Sequence, residues 1–285
     1  MISNRNGRAL EFALVEAFGS LHANTNLVGN TLDNQQRDSA LFNQLNISMQ
    51  TYYEKQCKSF AQWVLSNKFA DTQSLITIRR LTDQDAVAGD VTDIRLLSGT
   101  QEYNISLKHN HEAVKHQRPG NLLAQLGVDN KIEEKAYRGA IKSISNDFFE
   151  RVSVLNTVLF KEVKEIDESI INDFYEDMCH LVADTINGQR VDAQSAFNFL
   201  VGNCNFDKVI VTADTIKVME FSDIQLPTLM KATKTSYNRV KLEFDNGFKF
   251  DMRLHTASSK FAIGKTISQK FDTKLIEHSV NYFNL

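Results

Sequence analysis

Apolar and polar positions divide the chain into stretches of two different periods. Ala9, Leu10, Ala13, Leu14, Ala17 and Phe18 recur at helical spacing and predict a first helix over about residues 5 to 18. A longer mixed segment over about 33 to 67, carrying Leu41, Leu45, Met49, Tyr52 and Tyr53, reads as a second helical region. The period then falls to two. Ile76, Ile78 and Arg80 alternate with Leu75, Thr77 and Arg79, the pattern of a strand over 74 to 81. Residues 92 to 97 and 103 to 108 form two further short strands around a hairpin loop at Ser98-Gly99-Thr100-Gln101. Helical spacing returns over about 130 to 156 and 167 to 185. Two hairpins follow, 208 to 211 with 215 to 221 and 240 to 244 with 248 to 254. The second turns at Asp245-Asn246-Gly247, where Asn and Gly tolerate positive φ.

This order predicts an α/β fold: a mixed central β-sheet flanked by helices, with helical insertions. Pro119 and Pro227 are the only prolines, and no Gly/Ser-rich stretch marks a linker, so residues 1 to 285 are expected to form a single elaborated domain. With 42% apolar residues the chain has ample material for a core. No run of about 18 apolar residues is present, and the opening Met-Ile-Ser-Asn-Arg-Asn-Gly-Arg lacks the apolar stretch of a secretory signal, which predicts a cytoplasmic protein. Cys57, Cys179 and Cys204 are odd in number and far apart, so neither a disulfide framework nor a structural zinc site is expected.

A net charge of -3 argues against a nucleic-acid partner until its distribution is considered. From residue 231 to the end there are ten Lys or Arg against five Asp or Glu. The C-terminal part is therefore basic and the remainder acidic.

Chemistry concentrates in Gly89-Asp90-Val91-Thr92-Asp93 and Ile105-Ser106-Leu107-Lys108-His109-Asn110-His111. If the hairpin is centred between Gly99 and Thr100, Asp93 faces Ser106, and Lys108 lies on the same face of the sheet as Asp93. Asp90 then points to the other face, although a one-residue slip would reverse the choice. An acid at a strand start with a lysine on the neighbouring strand suits metal-assisted phosphodiester hydrolysis. The carboxylate fixes Mg²⁺, and the lysine orients water and offsets transition-state charge. On the first helix, Glu11 sits between Leu10 and Phe12, one turn after Gly7. Two roles are open to it: a metal ligand, or an exposed acid paired with Arg8.

Asp93 followed by Ser106-Leu107-Lys108 resembles the metal-binding motif of PD-(D/E)XK nucleases, and Gly7-Arg8-Ala9-Leu10-Glu11 resembles the helix that supplies an extra acid in many of them. The longer string from Ser106 through Lys108-His109-Asn110-His111-Glu112-Ala113-Val114-Lys115-His116-Gln117-Arg118-Pro119 is similar to HaeIII-like restriction endonucleases, as is Arg253-Leu254-His255-Thr256-Ala257-Ser258-Ser259. The resemblance implies a PD-(D/E)XK core, over about 1 to 20 and 74 to 160, and a basic hairpin region over about 206 to 285 that contacts DNA. It implies Asp93, Lys108, Glu11 and Ser106 as the catalytic set, with Asp93, Glu11 and the Leu107 carbonyl on Mg²⁺. Asn110, His111, Lys115, His116, Arg118, His255, Ser258, Ser259 and Lys260 are the expected DNA contacts. The implied activity is a double-strand break at a short GC-rich palindrome such as GGCC, made by a homodimer whose host is protected by a cognate DNA methyltransferase.

One position departs from the motif. Ser106 stands where the family name has Asp or Glu, so the second acid must come from elsewhere, Glu11 first and Glu112 behind it. Two alternatives use the same residues: a repair or recombination nuclease that reads DNA structure, and a DNA-binding module that has lost catalysis. The literal run His109-Asn110-His111 is not the HNH motif, because adjacent strand residues point to opposite faces.

Overall fold

Ala9, Leu10, Ala13, Leu14, Ala17 and Phe18 are all buried, at 5% exposure or less, and they form the inner face of the first helix, α1 (Ile2–Leu21). The computed structural model describes every residue except 1, 70, 72, 83, 86–88, 111–113, 115–116, 189–190 and 204, and only the backbone of residues 2–4. The chain divides into two compact units, one comprising Met1–Glu112, Asn203–Ile224 and Val280–Leu285, the other Ala113–Gly202 and Gln225–Ser279. The core expected over 1 to 20 and 74 to 160 therefore draws on both.

In the first unit, α1 packs against α2 (Thr31–Asn43) and α3 (Ile47–Asn67). The helical region expected over 33 to 67 is thus two helices. Asn46 is extended (φ -66°, ψ 154°) and its side-chain oxygen accepts from the Met49 amide at 2.8 Å, which starts α3 afresh. The helices cover a mixed seven-stranded sheet of β1 (Thr25–Leu27), β2 (Ile76–Arg80), β3 (Ile94–Ser98), β4 (Gln101–His109), β5 (Phe206–Val211), β6 (Ile216–Phe221) and β11 (Tyr282–Asn284), in that spatial order. β1 runs parallel to β2, and β4 parallel to β5, while the other neighbours are antiparallel. Ile76, Ile78, Ile94, Leu96, Ile105, Val209 and Val218 join the α1 stripe in one core. Burying each large apolar side chain there stabilises by about 1.5–3 kcal/mol.

The hairpin register expected from the sequence holds. Ile94 pairs with Ile105 and Ser98 with Gln101, around a turn in which Gly99 has φ +57°. Asp93 therefore falls beside Ser106, at the mouth of the hairpin. The parallel pairing of β4 with β5 joins segments a hundred residues apart, and all six positions of β5 are buried.

The second unit contains α4 (Leu122–Gln125), α5 (Lys131–Val152), α6 (Phe160–Ile166), α7 (Glu168–Asn187) and α8 (Ala193–Val201). Phe148, Phe160, Phe174 and Phe261 form the centre of its helical core. Its antiparallel sheet runs β10 (Gln269–Glu277), β9 (Lys249–Thr256), β8 (Arg239–Phe244), β7 (Met230–Ser236). The expected hairpin turn is present, with Gly247 at φ +88°. One face, including Val240, Leu242, Phe250, Met252, Leu254 and Phe271, is buried, and α7 packs against β7, β8 and β9. The opposite face is charged. Cys57 and Cys179 are free and buried, and Cys204 lies outside the described residues. Among the described residues, no helix is long and apolar enough to cross a membrane.

On the charged face, Asp272 of β10 lies opposite Arg253 of β9. Its Oδ2 accepts from Arg253 at 3.0 Å and lies 3.0 Å from His255 Nε2. Burial works to raise the Asp272 carboxyl, but Arg253 and then His255 outweigh it and bring it down to about 2. Because a free aspartate ionises near ~3.9, this arrangement stabilises above pH ~4 and is lost as the pH falls towards 2. Asp272→Asn is expected to be less stable than wild type at neutral pH and to lose less stability on acidification from about pH 5 to 2. Thermal unfolding at a series of pH values measures this; parallel acid limbs would remove Asp272 from the account.

Candidate active site

The site begins with a strand-edge carboxylate. The Asp93 amide donates to the Ile105 carbonyl at 2.8 Å, fixing the residue at the start of β3. Its Oδ2 accepts from the Leu107 amide at 2.6 Å and from Lys108 Nζ at 3.0 Å, with Ser106 Oγ at 3.4 Å. All three donors converge on the same oxygen, and none of them reaches Oδ1. Asp93 and Lys108 keep 27% and 26% side-chain exposure, so the pair is sheltered without being closed off. Asp90 has a different partner: its Oδ2 accepts from Arg95 at 2.5 Å.

Glu11 arrives from α1. Of the two roles open to it from sequence, the local pairing with Arg8 is not formed: its ion-pair partner is Arg80 of β2. Arg80 Nη2 donates to Glu11 Oε2 at 2.6 Å and to Asp38 Oδ2 at 2.8 Å, and Nη1 donates to Gln35 Oε1 at 3.0 Å. Asp38 in turn accepts both arms of the Arg37 fork, Nε at 2.7 Å and Nη2 at 2.8 Å. The result is a chain of alternating charge, Arg37, Asp38, Arg80, Glu11, that ends in a cavity of about 340 Å³ shared by Glu11 and Asp93. Burial raises the Glu11 carboxyl above the usual range, the negative charge of Asp93 pushes in the same direction, and Arg80 opposes both. For Asp38, burial is outweighed by Arg37 and Arg80, which hold it low.

Two mutually repelling carboxylates on one cavity, each with an oxygen that takes none of these hydrogen bonds, are a hard-oxygen donor set. Among the described residues, no three His, Cys, Asp or Glu side chains gather as a metal cage. The pair suits Mg²⁺, which binds through one or two carboxylates and fills its octahedron with water and phosphate oxygens.

The structure thus brings Asp93, Ser106, Leu107, Lys108 and Glu11 together. Ser106 is buried and acts as a donor towards Asp93. Asn110 is exposed just beyond β4, has φ +56°, and its side-chain amide lies 3.0 Å from His109 Nε2. His109 itself turns to the helix side, where Tyr52 and Tyr53 hydroxyls meet its Nδ1 at 2.9 and 2.7 Å. Of the other expected DNA contacts, Arg118, His255, Ser258, Ser259 and Lys260 belong to the second unit. Arg118 is exposed, His255 is engaged with Asp272, Ser258 Oγ accepts from the Lys260 amide at 3.1 Å, and the Ser259 carbonyl accepts from the Phe160 amide at 3.2 Å. His111, Glu112, Lys115 and His116 lie outside the described residues.

A family model for the HaeIII restriction endonuclease matches residues 7–222, which span Glu11, Asp93 and Lys108. The chain belongs to the HaeIII restriction endonuclease family. It is also 24% identical to the type II restriction enzyme HaeIII of Haemophilus aegyptius, over 96% of this chain and 94% of that protein. No solved structure matches. Membership of the HaeIII family makes this a restriction endonuclease, an enzyme that acts on DNA, and the site just described lies within the matched span.

Sequence reading missed Arg80, Asp38, Arg37 and Gln35. A signal was present: Arg80 shares the alternation of the buried Ile76 and Ile78, and an arginine on a core face requires partners. Asp38 has no side-chain exposure, and removing one partner of a buried ion pair costs about 3–5 kcal/mol. Asp38→Ala is accordingly expected to destabilise the first unit by about that amount. Urea unfolding followed through Trp63, the sole tryptophan, reads it out, and a loss below ~1 kcal/mol would show that Arg80 finds another partner.

Proposed function

We propose that this protein is a magnesium-dependent endonuclease of the PD-(D/E)XK type that cuts both strands of a short, GC-rich palindrome of the GGCC kind. The observation that carries the reading is Lys108 Nζ at 3.0 Å from Asp93 Oδ2, with Glu11 on the same cavity. Both units are read as parts of one nuclease acting in the cytoplasm, where a cognate DNA methyltransferase protects the host sites.

Asp93 and Glu11 would hold Mg²⁺, with the Leu107 carbonyl as a further ligand. Bound there, the metal supplies Lewis acidity and a more acidic water. Lys108 is placed to orient a water for in-line attack on phosphorus and to offset the charge that grows on the phosphoryl oxygens. Ser106 adds a hydrogen-bond donor to Asp93 in place of the usual acid, and Glu11 provides the second carboxylate. Asn110, His111, Lys115, His116, Arg118 and the basic region over 206 to 285, including His255, Ser258, Ser259 and Lys260, hold the DNA backbone and base edges.

Asp93→Ala and Lys108→Ala are each expected to reduce single-turnover cleavage at least about 100-fold while the protein stays folded and binds DNA. Plasmid digestion with magnesium, followed by sequencing of fragment ends, is the decisive measurement. Discrete fragments with one sequence at their ends support restriction. Preferential cutting of branched DNA would replace this reading with a repair nuclease, and DNA binding without cleavage would replace it with a non-catalytic module, the alternative that rests on Ser106 not being an acid.

A palindrome presents two strands related by a two-fold axis, and the chain offers one Asp93–Lys108 pair, so a homodimer on DNA is expected. Sedimentation with a short cognate duplex should find two protein chains per duplex. One chain per duplex, cutting both strands in a single encounter, would exclude the dimer.

A further inference from the structure

Three arginines line the cavity that Glu11 and Asp93 share, and they differ in what their guanidinium groups are doing. Arg80 is 2% exposed and divides its donors between Glu11, Asp38 and Gln35. Arg37 places both arms of its fork on Asp38. Arg8 has neither a hydrogen bond nor an ion pair among the described residues. It lies three residues before Glu11 on α1, the spacing at which helical side chains share a face, and Glu11 was therefore within its reach. Arg80 has taken that acid instead.

We infer that Arg8 is a substrate-binding residue that grips the scissile phosphate of DNA. The inference rests on the nuclease reading above and adds to it a contact that neither the motif nor the family resemblance supplied. Charge balance supports it. Asp38 is matched by Arg37, Glu11 by Arg80 and Asp93 by Lys108, so Arg8 is the surplus positive charge on the cavity wall. A partly buried cation without a counter-charge calls for an anion, and a guanidinium suits a phosphodiester because two parallel N–H groups meet two phosphoryl oxygens. There is also room beside it: the cavity that Arg8 lines is about 340 Å³. A phosphate held there lies against the two carboxylates that the proposed metal joins, which is where the reacting phosphorus has to be.

The test is a two-by-two comparison of protein and DNA. Wild type and Arg8→Ala are measured for binding to the duplex that the wild type cuts, and to the same duplex with one neutral methylphosphonate at the scissile position. Each change alone is expected to weaken binding about tenfold to hundredfold, and the two together no more than either alone, because both remove the same contact. Arg8→Lys should recover part of the loss, since it restores the charge without the fork. Arg8→Ala should unfold at the wild-type temperature, as Arg8 supports no other described side chain. Losses that multiply, coupling to a methylphosphonate one step away instead, or wild-type binding and cleavage by Arg8→Ala would each overturn the assignment. Absence of cleavage by the wild type is a separate result: it sinks the nuclease reading first, and Arg8's role with it.

Discussion

A positive charge sealed inside the first unit sets the position of the elements around it. The Arg80 guanidinium is 2% exposed, and a charge so placed without partners would cost several kcal/mol. Its partners come from two helices. From α2, Thr31, Gln35 and Asp38 recur at helical spacing on one buried face: Thr31 Oγ1 accepts from the Arg80 amide at 2.9 Å, and Gln35 and Asp38 take the guanidinium. From α1 comes Glu11. The same ion that fixes the angle at which α2 meets β2 thus holds Glu11 over the strand edge where Asp93 begins. Moving any of these elements would strand a buried charge, and that cost secures the geometry of the site.

Much of this was legible in the chain, and the part that was not has a physical reason. The α1 stripe, the β3–β4 register and the placement of Lys108 beside Asp93 follow from local periodicity and one turn, interactions that span about 15 residues in sequence. The parallel pairing of β4 with β5 depends on segments far apart in the chain, and no local pattern announces it. Thr31, Gln35 and Asp38 are misleading for a different reason. A polar stripe on a helix ordinarily faces water, and here it faces a buried arginine, so polarity and burial part company. β10 is different again. Gln269, Phe271, Thr273 and Leu275 face inward and alternate with Lys270, Asp272 and Lys274, but two of the four inward residues, Gln269 and Thr273, are polar, which blurs the apolar period.

Ser106 sharpens the question of how this site manages with one fewer acid in the hairpin. In the observed geometry the serine hydroxyl, the Leu107 amide and the Lys108 ammonium all point at Asp93 Oδ2. A carboxylate at position 106 would instead have faced Asp93 across the pair and repelled it. On the proposed reading the second acid comes from α1, which separates the two negative charges onto different elements, each with its own cation. That separation gives Ser106 a purpose beyond simple loss.

The charge pattern also bears on how metal and DNA would reach the site. Without either, the cavity's two acids, Glu11 and Asp93, are paired with Arg80 and Lys108, Arg37 is paired with Asp38 behind the wall, and only Arg8 is in excess. On the proposed reading, Mg²⁺ entering alone adds two positive charges to a site already slightly positive, and displaces lysine and arginine from carboxylates they already satisfy. A phosphodiester entering alone meets Arg8 but also Glu11 and Asp93. Together, the metal's charge would offset the repulsion between the phosphate and the carboxylates, and the phosphate's charge would offset what the metal adds, so each would remove the repulsion that opposes the other. Because such coupling is reciprocal, a site with only two acids can hold the free metal weakly and still bind it firmly once DNA is in place. Weak binding of free metal then keeps hydrolysis confined to the moment when a phosphate is correctly seated.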